Sequence, residues 1–262
     1  LDSYYSIKLK KKRLDLLNKK KKFKFFKTDI TSNNLEKILK NYKFDIIVHL
    51  AAQAGVRYSL INPKKYINTN IKGFCNLFES INSENLKKVI YASSSSIYGD
   101  SKKFPLKENH ILQPNNTYSL TKKFNEDIAK VFNKYYKINM TGIRFFTIYG
   151  EWGRPDIFIN KLIFSNLKKK TFFLNNFGNH FRDFTYVDDI VDGIYSLIKK
   201  QSKKSIPYEI FNIGNGTPKK LLDYLKHIEK NLNKISKTNK LPLQVGDIVK
   251  THSNINKLKK YT

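Results

Sequence analysis

At 262 residues the chain is long enough to bury a substantial core, as one large α/β unit or one with a small appended lobe. No apolar run approaches the ~20 residues that span a bilayer, no apolar segment follows the N-terminal charges, and the lone Cys75 excludes an internal disulfide; a cytoplasmic protein is expected, with no membrane partner. The net charge of +29 invites a nucleic-acid reading, but only five of the 50 basic residues are arginine and the lysines are spread along the whole chain, so a compositional bias accounts for the charge and no specific nucleic-acid partner is expected.

In chain order, Lys8 to Leu17 reads as helix, Phe23 to Ile30 as a strand ending in an acidic turn, and Asn33 to Asn41 as a short helix. Phe44 to Ala52 is a continuous apolar run of buried-strand type that ends in small residues, which let a flat ligand approach the backbone. His49 inside it reads as a packed core residue. A helix starts near Pro63, and its pattern over Tyr66 to Phe78 makes Cys75 a structural thiol. Next come a strand at Lys88 to Ala92, a helix from Tyr118 to about Tyr136 and a strand at Met140 to Phe146. Strand and helix alternate as in parallel β-α-β units. From about Glu151 the runs shorten and are broken by Gly178, Pro207, Gly214, Gly216 and Pro218, which predicts a smaller lobe able to grip a substrate. Asp188 and Asp189 suit the first turn of a helix.

The chemistry concentrates where the Lys88 strand ends. Ser93-Ser94-Ser95-Ser96-Ile97-Tyr98-Gly99, followed by Tyr118-Ser119-Leu120-Thr121-Lys122, supplies a hydroxyl, a phenol and an ammonium. A phenol with a pKa near ~10 is a poor base at neutral pH, but a lysine one helical turn away favours the phenolate, and a serine can relay or orient the proton. The serines fall at the carboxyl end of a parallel strand, where open α/β sheets bind their ligands. No metal-ligand cluster is expected.

This hydroxyl and Tyr-x-x-x-Lys set resembles the extended short-chain dehydrogenase/reductases. His49-Leu50-Ala51-Ala52-Gln53-Ala54-Gly55-Val56-Arg57-Tyr58-Ser59, the serine run with Tyr98-Gly99, Arg144 to Asp156, and Arg182-Asp183-Phe184-Thr185-Tyr186-Val187-Asp188-Asp189 more closely resemble the UDP-glucuronate 4-epimerases of the capsule type, within the NAD-dependent epimerase/dehydratases. The resemblance implies a Rossmann-like doubly wound parallel α/β sheet, with residues 1–150 as the NAD-binding domain and 151–262 as a UDP-sugar lobe interleaved with the sheet. It makes Tyr118 the acid and base, Lys122 its tuner and a cofactor-ribose contact, and Ser94 the proton-sharing hydroxyl. NAD would meet Asp29 at its adenine and Leu50, Ala51, Ala52 and Gln53 along the sheet edge. Ser95, Ser96 and Thr147 would hold the sugar carboxylate, and Arg154 and Arg182 the diphosphate. Arg57 is read as structural. Related 4,6-dehydratases carry an Asp-Glu pair where this chain has Ser95-Ser96; hydroxyls cannot do that acid–base work, so a uronate epimerase is favoured. An epimerase of UDP-hexoses or their N-acetyl forms, a UDP-uronate decarboxylase, and an inactive nucleotide-sugar-binding remnant stay open. A homodimer through the helices near Phe74 and Phe124 is implied.

The family opens with a strand, a glycine-rich turn and a helix, yet the first glycine here is Gly55. The expectation is a chain lacking its first β-α-β unit, clipped after Thr262 as well, and binding dinucleotide poorly.

Overall fold

The computed structural model describes residues 2–81, 85–200 and 206–262. Ser6 opens helix α1 (Ile7–Asn18) by accepting the Leu9 N–H at 3.3 Å. After an irregular stretch come α2 (Asn34–Asn41) and strand β1 (Ile46–His49). Then follow α3 (Val56–Ile61) and α4 (Pro63–Tyr66), where Asn62 caps the Lys65 N–H and Pro63 suits the first helical position. A π-helical stretch, Ile67–Lys72, leads into α5 (Gly73–Glu79). Next are β2 (Lys88–Ser94), a 3₁₀ turn at Ser95–Tyr98, α6 (Thr117–Tyr136) and β3 (Asn139–Phe145). The second half runs β4 (Thr147–Tyr149), α7 (Phe158–Leu167), β5 (Phe172–Leu174), β6 (Phe181–Arg182), β7 (Phe184–Tyr186), α8 (Val187–Lys199), β8 (Tyr208–Ile213), β9 (Lys219–Lys220), α9 (Leu221–Leu232), β10 (Thr238–Lys240) and α10 (Asn256–Tyr261).

Strands β1, β2, β3 and β8 pair in that order, all parallel. The near-continuous apolar run of β2 follows from burial on both faces. Val89 and Tyr91 pack with Phe74 and Phe78 of α5, Ala129 of α6 and Met140. Ile90, pointing the other way, packs with Ile143, Phe211 and the α8 residues Ile190 and Leu197. Burying each such aliphatic or aromatic side chain stabilises the fold by roughly 1.5–3 kcal/mol. Because β8 comes from the second half, both halves of the chain build one sheet. Three small pairings, β4 with β7, β5 with β10 and β6 with β9, stand beside it.

Two expectations differ. The Phe23 to Ile30 segment is irregular, not a strand. A strand exists only by pairing, and among the described residues no strand lies beside this segment; Phe23 and Phe25 are left exposed. The Phe44 to Ala52 run contributes only Ile46–His49, and as the edge strand it leaves Val48 exposed. His49 is buried, as read, with its ring edge-to-face on Phe74 at 5.5 Å; burial drives its imidazole down to about 3, so it is neutral. Asp188 and Asp189 occupy the first turn of α8.

Candidate active site at the carboxyl edge of the sheet

The carboxyl end of β2 and the start of α6 meet at the site. At the start of α6 a reciprocal cap holds the chain: Asn116 accepts the Ser119 N–H at 2.9 Å, and Ser119 Oγ accepts the Asn116 N–H at 3.2 Å. That cap fixes Tyr118 in the first turn, with Lys122 one turn on along the same face. β2 delivers Ser94, whose hydroxyl lies 2.8 Å from Ser96 Oγ and accepts the Ser96 N–H. The Ser94 hydroxyl also favours the charged form of the Tyr118 phenol. Gly99 closes the 3₁₀ turn at a positive φ of 60°, pressed so closely on the Gln113 carbonyl that a side chain would overlap it.

Burial raises the Tyr118 phenol, while the Ser94 hydroxyl and the positive charge of Arg154 pull it down. Lys122 follows Tyr118 by one turn of α6. Its buried ammonium donates to the Ala92 carbonyl at 2.8 Å, and burial brings it down to about 8. An ammonium has three donors, so Lys122 keeps hydrogen-bonding capacity for a ligand hydroxyl.

Behind this trio runs a buried polar network. Arg144 grips Glu126 of α6 with two bonds, Nε to Oε1 at 2.9 Å and Nη2 to Oε2 at 2.8 Å. Ser93, next to Ser94, donates to Glu126 Oε1 at 2.5 Å. Arg144 Nη1 also reaches Tyr98 Oη at 2.8 Å, and Tyr98 donates to Asn212 of β8 at 2.7 Å. The network ties β2, β3, β8 and α6 together beneath the reacting groups.

The predicted cofactor edge is the loop after β1. Leu50 and Ala51 are exposed, Ala52 is half-buried and Gln53 is buried. The π-helical stretch aims Asn70 at this loop: its side chain accepts the Gln53 N–H at 2.7 Å and donates to the Gln53 carbonyl at 3.0 Å and to Thr121 of α6 at 3.0 Å. Asp29 stands apart on an exposed turn, accepting from the Thr31 N–H and hydroxyl, and Asn76 of α5 anchors that turn through the Ile30 carbonyl at 2.6 Å. The exposed sheet edge, the small Ala51 and Ala52 and the spare donors of Lys122 fit the nicotinamide-ribose half of NAD. Among the described residues no three potential metal ligands converge.

A cavity of about 850 Å³ has Tyr4, Thr147, Arg57, Arg182, Asp156 and Asp247 in its wall, while Ser94, Tyr118, Lys122 and Arg154 lie outside its lining. Ser95, half-buried, and Ser96, buried, lie on the turn after β2. The Thr147 N–H donates to the Asp183 carbonyl at 3.2 Å. Asp183 is fully buried; its carboxylate accepts N–H groups from Asn215, Gly216 and Ser253 and the Ser253 hydroxyl, the last at 2.6 Å. Arg182, brought down to about 10 chiefly by burial, donates to the Val249 carbonyl at 3.0 Å. Arg57 pairs with Asp247 through Nε and Nη2, in keeping with a structural role. Arg154 is held by Asp156. Tyr4, Glu126, Asp156 and Asp183 carry no role legible from the sequence; only the concentration of arginines within the motifs hints at the acids that must partner them.

Residues 5–214 match the model of the NAD dependent epimerase/dehydratase family. The chain is 45% identical over 262 residues to the uncharacterized protein MJ1055 of Methanocaldococcus jannaschii, covering 99% of this chain and 79% of that one. It is 40% identical over 275 residues to protein CapI of Staphylococcus aureus, covering 98% and 82%. The crystal structure of UDP-glucuronic acid 4-epimerase from Bacillus cereus, in complex with UDP-glucuronic acid and NAD, superposes with a TM-score of 0.90 at 31% identity, covering 97% of this chain and 80% of that one. On these matches and on a parallel sheet with Ser94 at the end of β2 and Tyr118 and Lys122 on α6, the chain belongs to the NAD dependent epimerase/dehydratase family.

Proposed function

We propose that the protein interconverts UDP-glucuronate and UDP-galacturonate by 4-epimerisation with NAD. The observation that carries this is the placement of Ser94 at the carboxyl end of β2 and Tyr118 in the first turn of α6, with Thr147 and Arg182 in a cavity wall, in a chain similar to a UDP-glucuronic acid 4-epimerase. Tyr118 takes the proton of the sugar 4-hydroxyl and returns it, and Ser94 shares it. When bound, NAD supplies the acceptor and donor of the C4 hydride. Lys122 reaches the ribose, Leu50, Ala51, Ala52 and Gln53 border the dinucleotide, and Asp29 takes its adenine end.

Ser95, Ser96 and Thr147 offer the sugar carboxylate neutral donors, free of like-charge repulsion. Their grip also keeps the carboxylate of the 4-keto sugar out of the geometry for losing carbon dioxide. Arg182 and Arg154 serve the diphosphate, where a guanidinium fork matches the oxygens. Residues 1–150 form the cofactor domain and 151–262 mainly the sugar lobe; the return of β8 to the sheet supports their interleaving. The relationship to CapI supports a place in capsule or polysaccharide synthesis.

A homodimer forms through α6. Phe74 is fully buried in the core and takes no part, but Leu120, Phe124, Val131 and Tyr135 are exposed at helical spacing along one face of α6. No helix among the described residues is long and apolar enough to cross a membrane, and with the single half-buried Cys75 this supports a cytoplasmic enzyme.

The test is incubation of the purified full-length protein with NAD and UDP-glucuronate, followed by anion-exchange separation of the sugar nucleotides. UDP-galacturonate is expected. Unchanged UDP-glucuronate overturns the proposal; a UDP-pentose with carbon dioxide makes the protein a decarboxylase, and turnover of neutral UDP-sugars alone makes it a hexose epimerase.

A further inference from the structure

The segment before α1 reaches across the site to the loop that carries Arg154. Tyr4 donates its hydroxyl to Asp156 Oδ2 at 3.1 Å. Asp156 holds the Arg154 guanidinium with both oxygens, Nε to Oδ1 at 3.0 Å and Nη2 to Oδ2. The same guanidinium lies over the Tyr4 ring, 5.6 Å from its centroid. A bidentate pair and a stacked ring together fix both its position and its orientation. Tyr4 is itself fixed: its ring packs on Tyr58 at 5.3 Å, and its hydroxyl occupies the space that a side chain at Gly55 would take. A second strut runs alongside, with Arg13 donating to the Gly153 carbonyl at 3.1 Å and to the Tyr5 hydroxyl at 2.7 Å.

We propose that Tyr4 is a positioning residue: through Asp156 it holds the Arg154 guanidinium beside the Tyr118 phenol. The inference deepens the epimerase reading, because it rests on Tyr118 as the acid–base group. The Tyr66 ring from α4 packs on the Tyr118 ring at 6.2 Å, the Ser94 hydroxyl from β2 and the Arg154 charge both lower the phenol, and Lys122 follows one turn along α6. Lys122 donates to the Ala92 carbonyl. If the Tyr4 hydroxyl is removed, Asp156 loses a partner and the guanidinium loses its fixed distance, and the phenol follows its burial upward.

The experiment is a pH titration of ¹³Cζ-labelled tyrosine by NMR, on the protein without cofactor or sugar, with Tyr118→Phe assigning the resonance. Arg154→Gln is expected to move the Tyr118 titration up by about one pH unit, the low end for losing an opposite charge at close range. Tyr4→Phe keeps the ring on Tyr58 and should move it in the same direction. In the Arg154→Gln background, Tyr4→Phe should move it no further, whereas a merely structural role for Tyr4 would be blind to that background. A phenol unmoved by Tyr4→Phe, or moved equally with Arg154 already gone, overturns the proposal. Since no sugar is present, the epimerase reading can fail in the product assay while this titration still decides the role of Tyr4.

Discussion

As the proposed acid and base, Tyr118 would have to work against its own burial. The environment that hides the phenol from water raises it, and what offsets this is local: one serine hydroxyl and one guanidinium. Removing the phenol oxygen removes the proton carrier while leaving the cavity walls in place. Tyr118→Phe should therefore lower turnover of UDP-glucuronate by at least ~100-fold, the usual scale for a general acid–base group. Calorimetry should show UDP-glucuronate binding retained, and near-normal turnover would sink the assignment. The role proposed for this residue comes from the sequence, where Tyr-x-x-x-Lys opens a helix behind a serine-ended strand. The partner that tunes it does not. Lys122 is the nearest cation in sequence, but the Arg154 charge that lowers the phenol comes from a loop distant in sequence.

At the scale of elements, the site stands on the bond between α6 and the sheet. Glu126 lies one turn beyond Lys122 on α6, and its carboxylate is shared between Arg144 of β3 and Ser93 of β2. Both members of the ion pair have side chains only 4% exposed. Desolvating two charges consumes most of their attraction, so the pair adds little net stability, but breaking it strands a buried charge. Glu126→Gln should cost about 3–5 kcal/mol, which lowers the thermal midpoint by roughly 10 °C for a chain of this size. Circular dichroism melting checks this, and Glu126→Leu with Arg144→Leu should recover part of the loss. If Glu126→Gln melts with the wild type, the pair does not bear on the fold. Among the elements themselves, β2 and α6 could be read directly because local pattern and tertiary surroundings agree. The Phe23 run could not: its residues favour a strand, but strand formation depends on a neighbour, which no local pattern encodes.

The whole molecule carries a net charge of +29, and acid makes it more positive as carboxylates gain protons. Self-repulsion then weakens the compact state. A second, independent acid sensitivity comes from His49 and His180, both buried and nearly closed to solvent. Burial brings His49 down to about 3 and, with the nearby Arg182 charge, His180 to about 4, against 6.5 for an exposed imidazole. Between pH 6.5 and those values the unfolded chain binds protons that the folded chain refuses. The contribution to stability is therefore complete above pH 6.5 and is lost as pH falls toward 4 and then 3. For His49 the full loss is on the order of 5 kcal/mol. Salt separates the two causes, because it screens repulsion between exposed lysines but not the cost of charging an enclosed ring. Urea unfolding midpoints measured at pH 7 and pH 4.5 should fall steeply in low salt and still fall in 0.5 M salt. His49→Leu, an apolar side chain of similar size packed on Phe74, should flatten the remaining high-salt slope. If that variant loses as much stability between the two pH values as the wild type, surface charge alone governs the acid response.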